Sequence, residues 1–283
     1  MAPAPERRPG LRTRDAVALG LLHGPAELLP ISSSGHVALV PWLLDWPYAR
    51  LDGELRKSFE VALHAGTAAA LLIAPRREAT TWARAPDRPR GGFLAASLAP
   101  PALAGLICER PIERRLGTPA SVAAGLAAGS VALAAADLLG GRARGRADAS
   151  LADGMWLGLA QAAALIPGIS RNGAALTAAR CRGFARPDAH ALSAQTALPV
   201  ILGASALKGV RLLRRGLPPA AQRGFAAGMA ASALSTLAAT RVLRALPRDR
   251  SLLGFAAYRI ALAALVLGRV SGARLDQPGR SAW

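Results

Sequence analysis

The chain has 283 residues, of which 52% are hydrophobic and only 4% aromatic, and its net charge of +18 is carried almost wholly by arginine. Its mean hydropathy is +0.28. The apolar residues fall in long Ala/Leu/Val runs, which excludes an ordinary soluble domain and points to helices in lipid. A basic soluble protein would suggest nucleic acid, but here the arginines cluster between the apolar runs, as at Arg110–Arg115 and Arg244–Arg250. That placement suits anionic lipid headgroups, and no nucleic-acid site is read. Nearly every loop is basic, so loop charge assigns no orientation.

In chain order, Arg7, Arg8, Arg12 and Arg14 precede the first apolar run, in the manner of a signal peptide. Glu27 lies within that run and no small-residue cleavage site follows, so the segment is expected to be retained. Residues 16–44 form an apolar segment interrupted by Ile31-Ser32-Ser33-Ser34-Gly35-His36. Candidate spans follow at about 59–74, 93–108 and 119–139, with an exposed Pro/Gly-rich loop at Arg84–Gly92. Gly140–Arg146 reads as a solvated linker. A second interrupted segment, 151–183, carries Ile169-Ser170-Arg171-Asn172-Gly173, and further spans are expected near 190–213, 219–246 and 251–270. Cys108 and Cys181 read as small buried thiols.

The two interruptions align at a single offset. Asp15/Asp153, Leu19/Leu157, Gly20/Gly158, Leu21/Leu159, Ile31/Ile169, Ser32/Ser170 and Gly35/Gly173 match. Paired, broken hydrophobic segments in corresponding halves point to a midmembrane site between inverted repeats. The expectation is one integral membrane domain over residues 1–283, with repeat 1 at about 11–139 and repeat 2 at about 150–270.

The breaks concentrate the chemistry. Glu27 is an ionisable group in an apolar segment, which marks function by default. Ser32, Ser33 and Ser34 open a helix, where hydroxyls cap and free backbone N–H groups bind anions. His36 adds an imidazole able to move a proton near neutral pH. In the second break Arg171 offers a guanidinium fork suited to phosphate, whereas Arg180, Arg182 and Arg186 read as arginines snorkelling to the surface. If the repeats pack about a twofold axis, these groups converge on a phosphate or diphosphate ester whose tail stays in lipid, and the chemistry implied is phosphoryl transfer to water, directly or through a serine.

At these residues the chain resembles the undecaprenyl-diphosphate phosphatase family, also known as the bacitracin-resistance family. The resemblance rests on Glu27 to His36 (Glu-Leu-Leu-Pro-Ile-Ser-Ser-Ser-Gly-His) and Pro167 to Gly173 (Pro-Gly-Ile-Ser-Arg-Asn-Gly), supported by Phe59–Gly66, Ala197–Ala204 and Ala257–Ile260. It implies an all-α polytopic membrane protein, a helical bundle with two inverted-topology repeats, about six transmembrane helices and two re-entrant helix pairs. It further implies hydrolysis of undecaprenyl diphosphate to undecaprenyl phosphate and inorganic phosphate in the bacterial inner (plasma) membrane, with the site on the outer side. This reaction recycles the lipid carrier of cell-wall synthesis. By the same resemblance Glu27 is the essential carboxylate, Ser33 the nucleophile candidate, and Ser32, Ser34 and His36 are site residues. Arg171 holds the phosphates beside Ser170 and Asn172, and Mg²⁺ or Ca²⁺ assists, with Glu27 a possible ligand. The chain departs from the pattern at His23, where the family usually has Glu or Gln, and at His64, where Gln is common. His23 is therefore a second candidate metal ligand, and because Mg²⁺ prefers oxygen the departure bears on the metal. The oligomeric state, a homodimer among the options, is open.

Two competing readings remain. Acid-phosphatase-like lipid phosphatases also use a Ser-Gly-His element, but they need a histidine soon after their Ser-Arg, and none follows Arg171 until His190. An inverted-repeat transporter or flippase of a polyprenyl phosphate, without catalysis, would use the same architecture.

Overall fold

A computed structural model describes residues 10–73, 88–141, 143–217 and 219–275. Arg7, Arg8, Arg76, Arg77, Arg142 and the first part of the loop expected at Arg84–Gly92 lie outside the described residues. Ten α-helices are present among them: α1 (Thr13–Leu28), α2 (Ser33–Leu43), α3 (Gly53–Ile73), α4 (Arg88–Leu116), α5 (Pro119–Leu139), α6 (Leu151–Ala163), α7 (Arg171–Cys181), α8 (Arg186–Arg215), α9 (Pro219–Ala245) and α10 (Leu253–Leu275). The interrupted segments are the short pairs α1/α2 and α6/α7, and the six other helices run 21 residues or more. Four contain stretches long and apolar enough to cross a membrane: Arg90–Ile112, Pro119–Leu139, Pro219–Ala245 and Leu253–Gly272. The protein is an all-α polytopic membrane protein.

Local chemistry sets the breaks. Leu29, before Pro30, is extended and ends α1, because proline's ring disfavours helical backbone in the residue ahead of it. Ser32 then takes φ 75° and caps α2 by accepting from Gly35 N. In the second half Ser170 caps α7 by accepting from Gly173 N at 3.1 Å. The shared Ser-x-x-Gly pattern is thus a pair of N-caps. Gly168, at φ +93°, passes so close to α5 that a Cβ would lie 2.1 Å from Val122 O.

Each half has the element order short, short, long, long, long, and partners are exchanged between halves. The first helix of each half packs on the fourth of the other, α1 on α9 and α6 on α4, while α3 meets α8 and α5 meets α10. Matched glycines let the backbones touch: a Cβ on Gly20 would come 2.4 Å from Gly228 O, and one on Gly158 would come 2.7 Å from Ala96 O. Close approach through small residues is how helices associate in lipid. Outward faces carry Leu103, Leu106, Ile107, Val131, Leu234 and Leu265, an apolar exposure that water would not tolerate on this scale.

Three expectations are corrected. Arg180 does not snorkel. It is 0% exposed and donates to the carbonyls of Gly141, Phe184, Asp137 and Gly140. Arg186 likewise forms a two-pronged pair with Asp137 at 2.6 and 2.9 Å, and Arg182 binds the fully buried Asp153 at 2.6 Å. The cause is two buried aspartates flanking the linker, since a buried carboxylate must be paired. The linker itself, although solvated in part, is pinned by Arg144, which donates to both oxygens of Asp153 and to Arg182 O and lies 4.3 Å over the Phe184 ring. Cys181 is exposed and Cys108 intermediate, so neither is a buried thiol.

Candidate active site

Glu27 sits in the last turn of α1, one residue before the helix ends, and is 8% exposed. The turn at Leu29–Ser32 doubles the chain back so that Ser33, the first residue of α2, donates from Oγ to Glu27 Oε2 at 2.5 Å. The other carboxylate oxygen accepts from Arg171 Nη2 at 3.0 Å. Arg171 holds the matching position in the second half, at the first turn of α7. One carboxylate therefore joins a hydroxyl from the first break to a guanidinium from the second, across 144 residues of sequence.

Asn172 secures this junction. Its Nδ2 donates to Leu28 O at 2.7 Å, and its Oδ1 accepts from Ser193 Oγ at 2.7 Å. Arg171 is left with Nε and Nη1 buried and without a hydrogen-bond partner among the described residues. Two buried donors without partners are costly unless an anion completes them. Beside them a small cavity of about 30 Å³ has a polar floor of Glu27, Arg171, Asn172 and Ser193 and apolar walls that include Leu71, Leu198 and Ile201. Such a lining suits an anionic head on an apolar chain.

Ser32 and Ser34 lie next to the contact, their hydroxyls 3.5 Å apart, and Ser170 acts as a cap. His36 is placed differently from a base on Ser33. Its Nδ1 donates to Ser32 O at 2.7 Å and its Nε2 therefore accepts from Tyr258 OH at 2.7 Å. It orients the strained Ser32 turn and stacks on the Tyr258 ring. His23 comes within reach of Glu27 and His64: one ligand atom from each of the three lies within 4.8 Å of the others. These are two imidazoles and one carboxylate, a poor donor set for Mg²⁺ or Ca²⁺, which take oxygen ligands.

His64, noted in the sequence only as a departure from the family pattern, faces Glu27 Oε2 at 3.7 Å. Two further participants were given no role from sequence. Arg259, 1% exposed, donates to Pro30 O at 3.3 Å and Gly168 O at 3.4 Å, tying the two breaks together. Tyr258 and Arg259 fall in a stretch that supported the resemblance, but nothing local shows that they reach both breaks.

Fold and site together define a polytopic membrane protein with a carboxylate, a hydroxyl and a guanidinium gathered between two broken helix pairs. The chain belongs to the bacitracin resistance protein BacA family, whose model matches residues 16–265. It is similar to a protein named undecaprenyl-diphosphatase from Geobacter sulfurreducens, 40% identical over 265 residues that cover 89% of this chain and 96% of that one. Proteins of the same name from Pelobacter propionicus (37% identical, covering 91% of this chain and 98% of the relative) and Thermomicrobium roseum (36%, covering 92% and 98%) are also similar.

Proposed function

We propose that this chain hydrolyses undecaprenyl diphosphate to undecaprenyl phosphate and inorganic phosphate, with Ser33 as nucleophile. The observation that carries the reading is the Glu27 carboxylate bridging Ser33 Oγ and Arg171 Nη2. Nearly full-length similarity to relatives named undecaprenyl-diphosphatase supports the substrate.

Arg171 draws the terminal phosphate to the break with its two donors that lack protein partners, and the N–H groups opening α2 add to the attraction. Ser33 Oγ attacks the terminal phosphorus as its proton passes to Glu27. The bond from phosphorus to the bridging oxygen breaks, and undecaprenyl phosphate leaves with the proton that Glu27 returns to its oxygen. Water then attacks the phosphoserine as its proton passes to the restored Glu27 carboxylate, the Ser33 Oγ–P bond breaks, Ser33 Oγ takes that proton back from Glu27, and phosphate departs. The apolar cavity walls carry the start of the prenyl chain toward the lipid.

The paired element order supports an inverted repeat. If each short pair re-enters and the three long helices of each half cross, an odd number of crossings places the second half upside down relative to the first. In the bacterial inner membrane, with the site toward the outer side, the enzyme would meet the carrier where it is released. A carrier protein without chemistry has no use for a serine hydroxyl bonded to a carboxylate, so the transporter reading is not favoured.

The test is phosphate release from undecaprenyl diphosphate by the detergent-purified protein and by Ser33→Ala, with acid-quenched trapping of labelled phosphate on the chain. Label on Ser33 in the wild type supports the covalent route. Normal turnover by Ser33→Ala would remove the nucleophile assignment.

A further inference from the structure

Behind Glu27 a chain of hydroxyls fixes the protons on His23. Ser232 Oγ donates to Leu63 O at 2.8 Å and Thr236 Oγ1 donates to Ser232 O at 2.7 Å, so each has only lone pairs left for its other neighbours. Thr67 Oγ1 lies 3.1 Å from both and 3.2 Å from His23 Nδ1. Ser232 Oγ also lies 3.2 Å from His23 Nδ1, and with its hydrogen given to Leu63 O it accepts there. The tautomer that makes this contact a hydrogen bond carries the proton on Nδ1 and leaves Nε2, buried and without a partner among the described residues, as a lone pair. His64 is fixed in the same way, its Nδ1 donating to Glu60 O at 2.8 Å and leaving a lone pair on Nε2, 3.7 Å from Glu27 Oε2.

Two imidazoles and a carboxylate therefore converge, one ligand atom of each within 4.8 Å of the others. The rings meet edge to face at 4.6 Å. Lone pairs held together in a buried site call for a cation, and a ring N–H anchored behind each imidazole is the arrangement that orients histidine on a metal. We propose that His23, Glu27 and His64 form a site for one first-row transition ion, with Zn²⁺ the best match. Two imidazoles and a carboxylate with a fourth position open is a donor set of catalytic zinc, whereas Mg²⁺ gains little from imidazole. The use of such an ion, to offset charge on a diphosphate, rests on the phosphatase reading, but its binding is read without substrate.

The experiment strips the full-length detergent-purified protein with EDTA, desalts it, and offers Zn²⁺ alone or Zn²⁺ with excess Mg²⁺ before metal content is measured. About one Zn²⁺ per chain should be retained against Mg²⁺, and Co²⁺ in its place should give the visible absorption of a low-coordinate nitrogen and oxygen site. The double variant His23→Ala/His64→Ala should bind Zn²⁺ at least about 100-fold more weakly. His23→Glu should shift preference toward Mg²⁺, which a merely structural histidine would not do. No retained Zn²⁺, equal retention by the double variant, or Mg²⁺ competing as well as Zn²⁺ would each overturn the site. Because none of these readouts uses turnover, the metal site and the phosphatase reading fail separately.

Discussion

Two buried arginine–carboxylate junctions lie in this protein, and they are finished differently. At the linker, Asp137 accepts from both prongs of Arg186, from Ser251 Oγ and from Leu252 N, while Arg180 beside it donates to four carbonyls. At the breaks, Arg171 gives Glu27 a single nitrogen and keeps two buried donors without partners among the described residues. The first is filled more fully, with Arg180 Nε also facing Asp137 Oδ1 at 3.6 Å, and the second leaves two Arg171 nitrogens open. At these two junctions the extent to which the donors are filled sets the arginines apart, and burial alone does not.

Substitutions at the two junctions test that distinction. Glu27→Gln removes the acceptor for the Ser33 proton and should lower the rate of phosphate release by roughly 10³-fold or more, with the thermal midpoint in detergent nearly unchanged. Asp137→Ala strips the partner from Arg186 and should cost about 3–5 kcal/mol of stability. Activity per folded molecule should stay near the wild-type value, as read by unfolding and phosphate release on one preparation. Arg171→Ala should lower kcat/KM by roughly 10²–10³-fold and leave the folded yield intact, and Arg171→Lys should recover only part because a point charge cannot fork. An Arg171→Ala protein that unfolds as readily as Asp137→Ala would erase the contrast. The smallest effect belongs to Ser170→Ala, which loses the cap of α7 at a cost of about 1 kcal/mol and should show as a modest fall in thermal midpoint.

Sequence revealed the junction at the breaks better than the one at the linker, and the reason is local. Glu27, Ser33 and Arg171 each interrupt an apolar run, where a polar group has no cheap explanation, and the shared offset links the two halves. The expected spans 119–139 and 219–246 correspond to Pro119–Leu139 and Pro219–Ala245, whereas 59–74 and 93–108 fall short of Gly53–Ile73 and Arg88–Leu116, whose ends carry charged residues. Arg180 and Arg186 stand near helix ends, where an arginine usually reaches for water, and their partner Asp137 lies beyond a glycine-rich linker. His64 and Thr67 sit inside α3, whose pattern speaks only of a span, and their roles depend on α3 and α9 packing beside α1. Tyr258 is 222 residues from the His36 that it orients, a pairing that exists only once α10 is docked.

Arg259 has a consequence for how substrate gets in. A rocking mechanism needs the two halves to part at the site and expose it alternately to each side. One guanidinium bonded to Pro30 O and Gly168 O rivets the two turns to each other, and parting them would strand two carbonyls and a cation where no water replaces the lost bonds. The breaks therefore travel as one rigid block. Sideways entry of a lipid between helices is the route that leaves both of these bonds in place.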